Sequence, residues 1–396
     1  MTRRPQIDAI SGIRLFAILQ LVVMHFIAHH NAVFKNKGFY TELPEAMQRM
    51  AMAGPTATGL FFILSGFILT YVYFDSRTRG LKISSQKFFI TRASRIYPLH
   101  VSLLVFLGFW LADQGDWRHW IINAGLLQSL VPTTVNSWNI PAWAASAMIL
   151  FYLLFPRLLL GLGRMNLRYL LITLASLFLV NLSACTLFLK FFNQYGQEWR
   201  ELIVLWFYYS PAVWFCYFLT GIISALILID HREKLPKFWQ SHAFANVVLA
   251  VYVLALLNVR QLPHVFMRHS VMLPLQLVLI FTLVAQTGVL GWLCSRRGVL
   301  KLAAASFTIY LLHSPLMTVY MPLFEEGGKV SDLGVAGYFV ILLVLSLGIE
   351  RYFVEPVKAL IVGLLEDHKK GEIVVESETE AQIPANPQWA STVPKL

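Results

Sequence analysis

The sequence predicts an all-α polytopic membrane protein, a bundle of about ten transmembrane helices. Three observations carry that expectation. Of its residues, 57% are apolar and only 13% charged, about half the charged share a soluble domain uses to cover its surface. The apolar residues fall in runs of about 20, the length that crosses a hydrocarbon core. The basic residues behind the net charge of +11 sit in short clusters between those runs. That is the pattern of the positive-inside rule, and it excludes a nucleic-acid-binding patch.

The first run, 9–28, follows MTRRPQ. It looks like a signal peptide, but no small-residue cleavage site follows, and Arg14 and His25 interrupt it. It reads as an uncleaved first span. Further spans are expected at 54–75, 97–114, 141–162, 168–189, 206–230, 243–260, 271–294, 301–323 and 332–354. The stretch 118–131 is apolar but short. If it crossed, Arg164 and Arg168 would fall outside. If it lies in the interface or re-enters, every basic cluster falls on one side: MTRRPQ, DSRTRGLK with Arg92 and Arg95, RMNLR, DHREKLPK, SRRG and the C-terminal tail. The second arrangement obeys positive-inside throughout. It predicts a multi-pass plasma (inner) membrane protein with both termini cytoplasmic, and Trp117 and Trp120 as interfacial anchors. The outward loops are then 29–53, 115–140, 190–205, 261–270 and 324–331. One membrane domain, 1–360, precedes a polar tail, 361–396, whose composition suggests disorder. No repeat is evident. Cys185, Cys216 and Cys294 have no CxxC spacing and read as small buried hydrophobes, with no disulfide or metal framework.

Ionisable and polar groups inside spans are costly, so each is a functional candidate. Arg14 and His25 are 11 residues apart (25 − 14), three turns plus about 20°. They share one helix face, about 16 Å apart along the axis. A snorkelling arginine with an interfacial histidine explains them; so does a working pair, since histidine exchanges protons near neutral pH. Arg92 and Arg95, at i and i+3, suit bidentate phosphate binding or simply topology. Pro98 constrains the chain just beyond them. Ser306, Tyr310 and His313, at i, i+4 and i+7, form a polar stripe that suits either a site or interhelical hydrogen bonds. Gly59, Ser65 and Gly66 permit close helix contact. Trp138, Pro141 and Trp143 form an aromatic boundary to the fourth span. His29 and His30 adjoin an outward loop and make a weak metal site; no metal is expected.

The segments ISGIRLFAILQLVVMH, GLFFILSGFILTYVY, FFITRASRIYP, PAWAASAMILFYLLFP, SFTIYLLHSPL and ERYFVEPVKAL occur in the order seen in the membrane-bound acyltransferase-3 family. The chain resembles that family over about residues 7–360. The resemblance implies a bundle of about ten helices and a donor, cytoplasmic acyl-coenzyme A, commonly acetyl-coenzyme A. It implies transfer to hydroxyls of surface saccharides or small secreted molecules. It implies His25 as the essential histidine, Arg14 as its partner, and Arg92 and Arg95, with Tyr97 beside them, as the coenzyme A-binding group. Ser65, Trp143, Ser306, Tyr310 and His313, singled out above from their positions in the spans, are further candidate site residues. The histidine either deprotonates the acceptor or becomes acylated itself. The partners are membrane lipid, a hydroxyl acceptor and no nucleic acid.

Three departures stand out. Where the family reads W-S-L-S-x-E, this chain has Trp143 to Met148, so Met148 replaces the acid. Where it reads P-x-x-R-x-x-E-F, Trp214 and Tyr217 replace the charged pair. The frequent aspartate ahead of the first arginine is Ser11. If the lost glutamate orients the histidine, a binding protein derived from an acyltransferase is the competing reading. A transporter or flippase is another, although no matching pair of interrupted helices marks the two halves.

Overall fold

The computed structural model describes residues 4–34, 43–110, 117–192, 194–326 and 329–364. The bundle begins with α1 (Asp8–Phe34), α2 (Glu45–Met52) and α3 (Pro55–Tyr73). A two-stranded hairpin, Phe74–Asp75 against Gly80–Leu81, leads to α4 (Ser85–Trp110) and the short α5 (Trp117–Ala124). Then come α6 (Ala142–Leu162), α7 (Leu167–Phe192), α8 (Gln197–Tyr209), α9 (Pro211–His231) and α10 (His242–Asn258). The last part holds α11 (His264–His269), α12 (Met272–Val284), α13 (Gly288–Cys294), α14 (Arg297–Ala304), α15 (Ser306–Tyr320) and α16 (Asp332–Ile349). A π turn, Glu350–Val354, follows α16 and the helix continues through 355–364.

Local chemistry sets several boundaries. Ser210 caps α9, its hydroxyl accepting the amide of Ala212, and Pro211 fills the first helical position where no amide hydrogen is needed. Ser331 and Ser241 cap α16 and α10 in the same way.

Among the described residues, eight helical segments are long and apolar enough to cross a membrane, and nine if the bent pair α14–α15 counts as one. The expected all-α bundle is therefore observed, with revised boundaries. The expected span 271–294 is broken: α12 ends at Val284, and the chain turns through Gln286 (φ 56°) and Gly288 (φ 74°) into α13. The apolar crossing is instead 264–284. The expected span 301–323 bends by 61° at the α14–α15 junction. The expected third span is the C-terminal half of α4, whose N-terminal half carries Lys87, Arg92 and Arg95. This helix is not among the apolar crossings. The stretch 118–131 forms no helix long enough to cross. At eight residues, α5 is about 12 Å long. Its continuation packs inward, with the Ser129 and Ser146 hydroxyls 2.6 Å apart. Trp117 is exposed, whereas Trp120 packs on Trp138. The tail expected to be disordered lies, from 365 on, outside the described residues, as do the side chains of His29 and His30.

The centre of the bundle is α1, α3, α9 and α15. The α3 window is 67% buried and that of α7 only 17%, so α7 presents its apolar surface outward. The contact between α3 and α9 is made by two glycines facing opposite backbones. A Cβ on Gly66 would overlap the Phe218 carbonyl oxygen, and one on Gly221 the Ile63 carbonyl oxygen. Gly66 thus has the packing role its sequence suggested. Gly12 of α1 abuts the Cys294 carbonyl in the same manner. Close approach of these backbones fixes the position of α1, and with it Arg14 and His25.

Candidate functional site

Two polar centres lie along α1, one at each end of the Arg14–His25 face, and α15 runs beside it to join them.

At the far end, His25 Nδ1 lies 2.9 Å from His313 Nε2, with ring planes within 4°. His313 Nδ1 lies 2.6 Å from the Tyr310 carbonyl oxygen. A carbonyl only accepts, so Nδ1 of His313 carries the proton. Its Nε2 must then accept, and His25 Nδ1 must donate. Neutral His25 therefore keeps its lone pair on Nε2, which has no hydrogen bond among the described residues. His313 is fully buried, and its own carbonyl accepts from the Tyr338 hydroxyl at 2.8 Å. The result is an imidazole held by a second histidine that is itself held by backbone, so a third group fixes the tautomer, as in hydrolase triads.

At the near end, Arg14, Arg92 and Arg95 line one cavity of about 90 Å³ with Ser65, Met148, Tyr152 and Ser306. Arg14 reaches two backbone carbonyls, those of Ser11 and Ala303, at 3.3 and 3.4 Å. The two arginines expected to grip phosphate have different surroundings. Arg95 donates to Glu350 at 2.8 Å, to Glu355 at 2.6 Å and to the Ala304 carbonyl at 3.1 Å, so its terminal nitrogens are committed within the protein. Arg92 donates to the Tyr73 hydroxyl and stacks on that ring, and its Nε is buried without a partner. Tyr97 is not part of the chamber; its hydroxyl donates to the Gly125 carbonyl, and its ring lines an apolar groove along the other face of α4. The cause is helical spacing: Tyr97 is two residues beyond Arg95 and points about 200° away.

The stripe on α15 connects the two centres. Ser306 lines the arginine chamber, Tyr310 stacks on Phe61 of the same chamber, and His313 meets His25. Ser65 lines the chamber while its hydroxyl donates to the Phe61 carbonyl. Trp143 lies elsewhere, in a buried aromatic cluster with Phe62, Tyr209 and Trp214.

Met148 belongs to the arginine chamber, not to the hydrogen-bonding surroundings of His25. Loss of an acid there leaves the histidine's orientation intact. A different carboxylate, Glu350, lies behind Arg95. It is 6% exposed and ties Arg95 to the Thr308 hydroxyl. The sequence reading missed it, although a glutamate inside the apolar run 332–364 is the kind of costly group that marks a site. A π turn spans Glu350–Val354, a feature frequent at functional sites. Sequence reasoning also missed Arg268, whose guanidinium lies over Tyr208, Tyr209 and Trp214 at 5.1, 5.1 and 5.8 Å. Trp214, which replaces the family's arginine, thus has another arginine packed on it. Among the described residues no group of three or more His, Cys, Asp or Glu is placed to hold a metal ion.

These features define a polytopic helical membrane protein with a buried basic chamber and a histidine relay joined by one helix. The chain belongs to acyltransferase family 3, whose acyltransferase domain matches residues 7–350. It is similar to the acyltransferase MdmB of Streptomyces mycarofaciens, with 29% identity over 161 residues, 38% of this chain and 38% of that protein. The chain thus matches well under half the length of that curated relative. No solved structure matches it.

Proposed function

We propose that this acyltransferase takes an acyl group, acetyl in the usual case, from acyl-coenzyme A at the Arg14 end. It passes the group to a hydroxyl of a saccharide or other envelope or secreted acceptor at the His25 end. The observation that carries the reading is the His25–His313–Tyr310 relay, which leaves a lone pair on His25 Nε2. The acceptor hydroxyl gives its proton to that nitrogen as its oxygen attacks the thioester carbonyl. The C–S bond then breaks, and the thiolate leaves with the proton returned from His25. The imidazolium formed in between has both N–H groups available, one already held by His313.

The arginine chamber suits a polar stretch of the donor arm, which then runs along the Arg14–His25 face to bring the thioester to His25. Arg14 and the unpartnered Nε of Arg92 are the donors left for it. Basic clusters on the loops at this end support its assignment to the cytoplasmic face of the plasma membrane. Glu350 on Arg95 and His313 at His25 both weigh against a decayed site. The test is thiol release from acetyl-coenzyme A by purified protein supplied with envelope extract. His25→Ala is expected to lose about 10²–10⁴-fold in kcat, the range for a general base. Arg14→Ala is expected to weaken donor use. Full activity in His25→Ala would sink the mechanism, and transport of an acceptor without thiol release would favour a carrier.

A further inference from the structure

The nucleotide end of the donor has no room in the arginine chamber. That space is about 90 Å³, whereas sites for ligands of nucleotide size run to roughly 300–1,000 Å³. Its charge is also partly neutralised, because Arg95 is held by two carboxylates. Coenzyme A carries a 3′-phosphate and a 5′-diphosphate on its adenosine, so its nucleotide needs both volume and unpaired cations.

A cavity of about 760 Å³ at the same end of the bundle has both. It lies between the N-terminal segment and the turn after α9, and Arg4, His231, Arg232, Lys234, Gln240 and Gln286 help to line it. Two acids are present, but Asp230 is already bound to Arg79. Arg232 stacks on Trp239 and has no carboxylate partner among the described residues, and neither has Lys234. His231 Nε2 is buried with no hydrogen bond, a donor or acceptor awaiting a ligand. Shared lining residues lead from the cavity towards the chamber. A groove of about 500 Å³ between the 4–11 segment and α3 shares Arg4, Ile7 and Tyr71 with the large cavity and Ile68 with the arginine chamber. Its walls are largely apolar (Ile7, Ile10, Phe67, Val72), which suits the slender pantetheine arm better than a phosphate.

We infer that the cavity between Arg4 and the 231–234 turn is the site for a nucleoside bisphosphate, holding the 3′-phospho-ADP part of coenzyme A. The adjoining groove then carries the pantetheine arm from it to the arginine chamber. This assignment rests on the proposed donor.

The experiment uses the full chain in phospholipid nanodiscs with two donors: acetyl-coenzyme A, and S-acetylpantetheine, the same thioester arm without the nucleotide. In Arg232→Glu plus Lys234→Glu, both exposed positions, KM for acetyl-coenzyme A is expected to rise at least tenfold with kcat within about twofold, while KM for S-acetylpantetheine stays within about twofold. Binding of adenosine 3′,5′-bisphosphate, followed by calorimetry, is expected in the wild type and lost in the double variant. Inorganic pyrophosphate is expected to compete at least tenfold less well than the nucleotide. An unchanged KM for acetyl-coenzyme A in the double variant would overturn the assignment, as would pyrophosphate competing equally well, which would make the cavity a general anion site. Nucleotide binding without turnover of either donor would leave the cavity assigned and overturn the proposed reaction instead.

Discussion

His313 gives the most informative perturbation. Its Nε2 is the acceptor that keeps the proton of His25 on Nδ1. Replacing it with alanine removes that acceptor, and nothing else described bonds to His25. The His25 N–H is then left unpaired, or the ring changes tautomer and loses its free Nε2 lone pair. An orphaned buried donor costs about 1–3 kcal/mol, so the properly oriented base becomes roughly 5- to 150-fold rarer. His313→Ala should therefore lower kcat by roughly that factor while KM for acetyl-coenzyme A changes little, because the arginines proposed to meet the donor are at the other end of α1. His313→Gln is the control. Its amide oxygen can accept from His25, so it should recover a substantial part of the loss, whereas a role in packing alone would give no such recovery. Thiol release with saturating donor is the assay, with thermal unfolding measured alongside to separate misfolding from misorientation. Wild-type kcat in a folded His313→Ala protein would refute the relay.

Three other outcomes are expected. Glu350→Ala removes a buried carboxylate from Arg95 and Thr308 and should cost about 3 kcal/mol, the low end for a broken buried pair because Glu355 remains; an unchanged melting temperature in detergent would contradict this. Gly66→Val forces a side chain into the Phe218 carbonyl and should destabilise the α3–α9 contact by about 1–3 kcal/mol or more, read as a lower melting temperature or aggregation on size-exclusion chromatography; a wild-type profile would show that the helices can separate freely. Met148→Glu places a carboxylate among three arginines but leaves His25 and His313 untouched, so activity should change less than tenfold; a large gain would instead identify a disabled site.

Much of this protein was legible in its sequence. Run length, charge deficit and the placement of basic clusters gave a polytopic helical bundle, because lipid tolerates little else across its core. Helical arithmetic put Arg14 and His25 on one face, and Ser306, Tyr310 and His313 on another, because 3.6-residue periodicity acts within a single element. The aligned polar groups could be found, but not what they meet. Whether His313 faced His25 or a neighbouring helix depended on α1 and α15 lying side by side. That neighbourhood is a direct packing of the two helices, with α1 also held closely on α13 where Gly12 meets the Cys294 carbonyl. The division between Arg92 and Arg95 was equally hidden, since Glu350 and Glu355 are more than 250 residues away in sequence. The breaks after Val284 and at Ala305 could not be read from hydropathy, which averages over the turns that redirect the chain. Sequence fixes periodicity, length and charge, which are local. The tertiary structure alone decides which side chain completes another's hydrogen bonds, and here that decision turns a polar stripe into a hydrogen-bonded histidine pair with a fixed tautomer.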